Sequence, residues 1–502
     1  MQTAAAAAAG ALQTLAFVNT AAWWLPMATL MPLVAWLNTA RPGRAAWLAW
    51  AYGTGWMGAG VWWLFISMHR YGGLPAPLAA AAVLLLAGAL ALFLAAAAAA
   101  YARWRRGTAW DAVLFAALWL LAELARGQWF TGFPWVASGY AQVDSPLAGL
   151  APWVGVYGMG AVAAGVAAAL ALLARSHVDG TRAWPAAVLA AGAMLALPLA
   201  LPADFTRPTG EMSVALLQSN VSQDEKFAAE HMPQTLAWVA RELVAARADL
   251  VLSPETAVPL LPGQLEELAP GYWASLKAYF SAPGKAALVG IPLGDYDKGY
   301  TNSVVGLSAT SGNYRYDKWH LVPFGEFIPR GFRWFTDLMN IPLGDFARGV
   351  PNPPSFAVAG QRVGPNICYE DLFGEELALR FVDDALAPTV LANISNMGWF
   401  GDSSAITQHL NISRLRALEL QRPLIRATNT GATAVVDHRG RVQALLAPHT
   451  RGVLLARVQG RVGLTPFARW AAHLGLWPLW ALGLLGVAWG ATRRRVQRPS
   501  GG

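Results

Sequence analysis

YGGLPAPLAAAAVLLLAGALALFLAAAAAAYA, residues 71–102, runs for 32 residues without a charged side chain. A helix needs about 20 apolar residues to cross the hydrocarbon of a bilayer. This stretch therefore decides the fold class of the first two hundred residues. Comparable runs, bounded by Arg, Gly or Pro, lie near 4–20, 23–40, 45–67, 109–126, 146–174 and 183–202, and another returns at 471–491. Counting 74–101, the sequence predicts a membrane α-helical bundle of about eight transmembrane helices. The first run lacks a basic region before its alanines and further spans follow it, so it reads as a retained helix rather than a cleaved signal.

Composition agrees. Hydrophobic residues make up 55% of the chain and charged residues only 13%, against roughly 25% charged in soluble domains. Nineteen of the 24 tryptophans lie outside 205–460, many near span ends, where indole suits the membrane–water interface. The formal net charge of +8 raises the possibility of nucleic acid, but the arginines fall in short loops and the tail. With the N-terminus inside, Arg41, Arg44, Arg103, Arg105, Arg106, Arg175, Arg182, Arg493, Arg494, Arg495 and Arg498 are cytoplasmic, and only Arg70 and Arg126 face out. The positive-inside rule then puts both termini in the cytoplasm and the segment after the seventh span on the periplasmic side. No nucleic-acid partner is expected. The expected location is the cell inner (cytoplasmic) membrane.

From 205 to 460 the character changes. VALLQ, DLVLS, AALVGI, SVVGL and TVLANIS read as buried strands, and 229–246 and 403–421 as helices. The alternation predicts a layered α/β domain. The expected organisation is 1–204 transmembrane, 205–460 catalytic, and 461–502 a last helix with a basic tail.

PNICYEDLF, 365–373, holds Cys368, the one cysteine of the chain. It cannot form an intramolecular disulfide, and no His or Cys cluster at ligand spacing suggests a metal. A lone thiol outside the cytoplasm is a liability. A buried Cys acting as a small hydrophobe is the plain alternative. At a strand end beside acids, it is a candidate nucleophile, and with an unperturbed pKa near 8.5 it needs a base or a cation. Glu255, in DLVLSPETAVP, sits where a buried strand ends and is a candidate general base. Lys318, in YRYDKWHLVPFGEFIP, is one of five lysines against 32 arginines; its compact charge suits an oxyanion. Each has an ordinary alternative as a loop residue.

Taken in order, SPETAVP, DKWHLVPFGEFIP and NICYEDLF resemble the Glu, Lys and Cys motifs of the nitrilase, or carbon–nitrogen hydrolase, superfamily. ELQRPLIRATNTGATAVVDHRGRV (419–442) is similar to its later strands. With seven spans before and one after, and with ELARGQWFTGFPW (123–135) and SNMGWFG (395–401), the chain resembles the apolipoprotein N-acyltransferase family. The resemblance implies a nitrilase-like αββα sandwich and no cofactor. It implies that Cys368 takes an acyl chain from a phospholipid, the sn-1 chain of phosphatidylethanolamine, as a thioester. Glu255 would move the proton and Lys318 hold the oxyanion. The α-amino group of a diacylglyceryl-cysteine on an apolipoprotein would receive the chain, by ping-pong kinetics. Glu326, Tyr369 and Glu370 match supporting positions. Phe227 stands where relatives carry Trp, and Met397 where they carry an acid; Phe227 and Trp399 are candidate substrate contacts.

The same triad would also serve a membrane-tethered amidase that delivers water. A transporter or scaffold with a binding domain is a third class, against which the Glu–Lys–Cys set argues. Glu123 and Arg126, three apart on one span, read as a local ion pair. The apolar stretches 129–135, 258–263 and 331–335 are expected to line the lipid entrance.

Overall fold

The uncharged run folds as one 29-residue helix, Ala76–Trp104. In this computed structural model, residues 1–178, 184–310, 312, 314–336 and 345–492 are described. The chain divides into two units. One comprises Met1–Trp62, Ala80–Ala203 and Leu474–Gly502; the other comprises Trp63–Ala79 and Asp204–His473.

The first unit is helical. Its helices are Gln2–Leu12, Leu25–Leu37, Pro42–Gly60, Ala76–Trp104, Asp111–Gln128, Ala151–Val178, Trp184–Ala200 and Trp477–Thr492. Among the described residues, four segments are long and apolar enough to cross a membrane: Thr20–Leu37, Ala76–Trp104, Asp111–Thr131 and Pro146–Leu173. Small residues allow close helix packing. A Cβ on Gly10 would meet the Tyr52 carbonyl at 1.9 Å, and one on Gly55 the Ala7 carbonyl at 2.0 Å. The 471–491 run is not one helix: Pro466–Leu474 ends before Gly475, whose φ is +55°, and Trp477 begins a new helix. The third run also stops early, at Gly60 rather than near 67. Arg182 and the tail arginines 493, 494, 495 and 498, which orient the chain in the sequence reading, lie outside the described residues.

The second unit carries two six-stranded sheets. The strands are β1 (Arg207–Gln218), β2 (Leu250–Leu252), β3 (Ala286–Asp295), β4 (Gly299–Ser308), β5 (Tyr314–Asp317), β6 (Phe356–Val358), β7 (Gln361–Ile367), β8 (Val390–Ser395), β9 (Leu424–Thr428), β10 (Thr433–Val436), β11 (Val442–Leu446) and β12 (Gly452–Val462). One sheet is ordered β12-β1-β2-β3-β4-β5 and the other β11-β10-β9-β8-β7-β6. β1, β2 and β3 are parallel, as are β7, β8 and β9. Parallel strands covered on both faces read as unbroken apolar runs, which is why VLVL-type segments in the sequence mark them.

Leu216, Leu252 and Leu288 from one sheet meet Ile367, Ile394 and Ile425 from the other in the central core. On the outer face of the first sheet, Leu236, Val239 and Leu243 of helix Met232–Ala245 pack on Ala215, Val251 and Val289. Their spacing of three and four puts them on one helical face. On the other side, helix Ser404–Leu420 starts at the Ser403 cap, whose side chain accepts from Ala405 N. That helix is almost wholly buried yet carries Gln408, His409, Asn411, Ser413, Arg416 and Glu419. Helices outside two facing sheets make an αββα sandwich.

Trp63–Ala79, inside the sequence region read as membrane, belongs to this unit. Trp63 is fully buried; its Nε1 donates to Gln408 Oε1 at 3.1 Å and its ring meets Phe400 edge-on. Arg70 pairs with Asp224 at 2.7 Å on the exposed surface.

Candidate active site

The carboxyl ends of interior strands β2, β7 and β8 and of edge strand β5 carry the candidate residues, and in open α/β sheets such ends form the ligand crevice. β2 leads to Glu255, β5 to Lys318, β7 to Cys368 and β8 to Asn396. Gly290 on β3 permits the first of these approaches, since a Cβ there would lie 2.2 Å from the Pro254 carbonyl.

Lys318 is fully buried, its Nζ 2.9 Å from Glu326 Oε1 and 3.6 Å from Glu255 Oε1. Asn302 Nδ2 donates to both carboxylates, at 2.7 Å to Glu255 Oε1 and 2.8 Å to Glu326 Oε1. The Asn396 N–H donates to Glu255 Oε2 at 2.8 Å, and the Val322 N–H to Glu326 Oε2 at 2.8 Å. Two carboxylates thus share one ammonium and one amide, which fixes their positions within hydrogen-bond reach. Burial would lower the Lys318 ammonium, but Glu326, Glu255 and then Cys368 outweigh it and hold it well above the usual lysine range.

Cys368 is partly exposed and takes φ +51°, a left-handed conformation rare for a non-glycine residue. Burial of the sulfur and then the Glu255 carboxylate push its thiol well up; Lys318 and the Asn396 N–H oppose them without winning. The resting group is a protonated thiol, so attack requires a base at the moment of reaction. Glu255 is the carboxylate whose field the thiol feels most.

Glu370 is buried and accepts from four protein groups. Its Oε2 accepts from Tyr316 Oη at 2.5 Å and Ile367 N at 2.6 Å; its Oε1 accepts from Trp319 N at 2.7 Å and His320 N at 3.1 Å. It ties the loop after Lys318 to the strand before Cys368. Tyr369 is buried, with its ring edge-on to Phe373, which stacks on His320. Phe227 is exposed, and Trp399 lies edge-on to Tyr71. Met397 is fully buried, and a Cβ on Gly431 would meet its Cγ at 2.9 Å; the position serves packing. Of the stretches expected at a lipid entrance, 258–263 is divided: Val258 and Leu261 are buried, Val258 in the core beneath the outer helices, while Pro262 and Gly263 are exposed. Trp129, Phe130, Phe332 and Trp334 are exposed.

The structure adds residues that sequence reading passed over. Lys226 is buried beside Phe227, its Nζ donating to the Glu255 carbonyl at 3.0 Å and Thr256 Oγ1 at 2.9 Å. Burial lowers its ammonium to about 8, offset in part by Glu255 and Cys368. Asn396 Nδ2 donates to Gln223 Oε1 at 2.9 Å, and its Oδ1 accepts from Asn429 Nδ2 at 3.0 Å. The scarcity of lysine, and its place just before Phe227 in the early loop that the family resemblance singles out, were the signals that pointed at Lys226. Asn302 had none, because its role arises from the β4 neighbour of Lys318. No cluster of metal-ligating side chains occurs among the described residues.

Glu255, Lys318 and Cys368 stand at strand ends of an αββα sandwich, and residues 213–467 match the carbon–nitrogen hydrolase family, which gives the class of this unit. Residues 9–169 match the apolipoprotein N-acyltransferase N-terminal domain. The chain is 52% identical to the apolipoprotein N-acyltransferase of Verminephrobacter eiseniae, over 95% of this chain and 93% of the relative. It is 47% identical to that of Ralstonia nicotianae, over 98% and 93%, and 42% identical to that of Bordetella bronchiseptica, over 99% and 98%. The chain belongs to the apolipoprotein N-acyltransferase family and is an N-acyltransferase by that membership.

Proposed function

We propose that this protein moves a fatty-acyl chain from a phospholipid to the α-amino group of the diacylglyceryl-cysteine that begins an apolipoprotein. The observation that carries the reading is the geometry: Lys318 Nζ held between the Glu255 and Glu326 carboxyl groups, beside a strand end where Cys368 takes a left-handed backbone.

Glu255 takes the Cys368 proton as sulfur attacks the ester carbonyl. The Lys318 ammonium faces the oxygen that becomes anionic, a placement worth several kcal/mol in such sites. When the carbon–oxygen bond breaks, Glu255 returns the proton to the departing lysophospholipid, leaving a thioester on Cys368. The incoming amine then attacks that carbonyl. Its proton passes to Glu255 and on to the sulfur as the carbon–sulfur bond breaks. Glu326 holds Lys318 in place, and Tyr369 and Glu370 support the nucleophile loop. Phe227 and Trp399 contact the acyl chains. The donor is the sn-1 chain of phosphatidylethanolamine.

The helical unit supplies about eight membrane-spanning segments in the inner membrane, both termini are cytoplasmic, and the catalytic unit is periplasmic. The four long apolar segments and the exposed Trp24, Trp47, Trp110, Trp477 and Trp489 support a lipid-facing bundle.

Intact mass spectrometry after incubation with phosphatidylethanolamine tests the first half. An added acyl mass that hydroxylamine removes is expected. A diacylated lipopeptide should discharge it into an N-acyl product. Discharge to free fatty acid with no N-acyl product would instead identify a hydrolase that uses water.

A further inference from the structure

The carbonyl of Cys368 leaves the sheet ladder where β7 ends. It is met by two buried side chains, His409 Nε2 at 3.2 Å and Asn393 Nδ2 at 3.3 Å. His409 lies on the buried helix Ser404–Leu420 and is wholly inaccessible. Its other nitrogen, Nδ1, is 3.1 Å from Arg426 Nη2. A guanidinium has only donors, so Nδ1 must accept. The single proton of a neutral imidazole then sits on Nε2, pointing at the Cys368 carbonyl.

Arg426 is itself pinned, its Nη1 donating to the His409 carbonyl at 3.0 Å and to Ser413 Oγ at 2.6 Å. The Ser413 hydroxyl donates to Asp371 Oδ2, and Asp371 is buried three residues after the nucleophile. The hydrogen bonds therefore close a ring from Asp371 through Ser413, Arg426 and His409 back to Cys368. Burial and the Arg426 cation hold the imidazole far below its ordinary range, so it stays neutral at neutral pH and its donor does not change.

We propose that His409 is a positioning residue for the nucleophile: its Arg426-locked tautomer donates to the Cys368 carbonyl and holds that residue's left-handed backbone, and with it the direction of the sulfur. A non-glycine residue at this φ is strained and persists only where its surroundings hold it. Rotation there would swing the sulfur away from Glu255 and Lys318. The consequence for acyl transfer rests on the function proposed above.

The test uses the full chain in detergent–phospholipid micelles with three substitutions. His409→Gln keeps one donor and one acceptor. His409→Glu can accept from Arg426 but, ionised, cannot donate to the carbonyl. His409→Leu does neither. Two rates are read: acyl-thioester formation from phosphatidylethanolamine, and alkylation by iodoacetamide, which on this chain reports Cys368 alone. The Gln variant should stay within about fivefold of the parent in both, while Glu and Leu lose roughly 100-fold in acylation, the scale of an ångström-sized misplacement. A folded Gln variant as slow as Leu would overturn the proposal, and so would a Glu or Leu variant at the parental rate. If His409→Leu does not fold, the Gln and Glu pair decides alone. Failure of the parent to acylate would refute the acyl-transfer reading, and the alkylation series would still decide the role of His409.

Discussion

Each unit of this protein buries a cluster of charges, and the two clusters are built differently. In the helical unit, Arg126 Nη2 pairs with Glu123 Oε1 at 3.0 Å, both residues buried. The rest of the cluster is local in sequence. Glu123 also accepts from Ser138 N at 3.0 Å and Ser138 Oγ at 2.5 Å, while Arg126 Nη1 donates to the carbonyls of Phe133 and Trp135. One acid meets one base, and the remaining bonds fasten the 129–138 turn to its own helix. In the catalytic unit, the groups come from five separated segments, two carboxylates share one lysine, and a thiol stands beside them. A matched buried pair is a strut. A buried cluster in which two acids crowd one lysine beside a thiol has somewhere for a proton to go.

The sharpest way to break that contrast is Cys368→Ala, which should abolish the acyl adduct and reduce acyl transfer at least 1,000-fold, read by intact mass and by lipopeptide product. Glu255→Gln removes the proton acceptor while keeping its hydrogen-bonding shape, and Lys318→Met removes the oxyanion cation. Each should slow thioester formation by about 100- to 10,000-fold in single-turnover assays. A Lys318→Met variant with parental rates would mean that the cation is as structural as Arg126. Glu123→Gln should do the reverse. Breaking a buried pair costs roughly 3–5 kcal/mol, so thermal melting in detergent should fall several degrees while turnover per folded molecule stays near parental.

The smallest effect concerns Lys226. Its folded value of about 8 lies below its ordinary 10.5, so between these values the unfolded chain binds the extra proton. Stability owed to this residue therefore rises as pH goes from 8 to 10.5, and below 8 burying the charged form is a cost. Melting temperatures of the parent and Lys226→Met should diverge across that window, the parent gaining on the variant by a shift worth at most about 3 kcal/mol. Parallel curves would show that Lys226 keeps its proton as Lys318 does.

Much of this was legible beforehand because it rests on local pattern. Uncharged runs longer than a bilayer needs gave long helices, and apolar segments such as AALVGI gave buried strands, since both follow from what must be desolvated. Glu255, Lys318 and Cys368 stood in motifs at strand ends, and the Glu123–Arg126 pair in a spacing of three. Less legible were the breaks. Glycine at 475 looks the same inside a long apolar run as outside it, and the apolar 258–263 loop carries no mark of which of its residues are buried and which exposed.

What the sequence by itself determined was therefore the sorting of the chain into apolar helices and a layered α/β region, and the choice of Glu255, Lys318 and Cys368 as candidate reactive groups. Only the tertiary structure decided which polar residues surround them. Asn302, Asn396, Lys226 and the ring from Asp371 to His409 come from positions tens to hundreds of residues apart. The need to satisfy every buried donor and acceptor acts between strands and helices that meet only in space. It leaves no period or spacing along the chain.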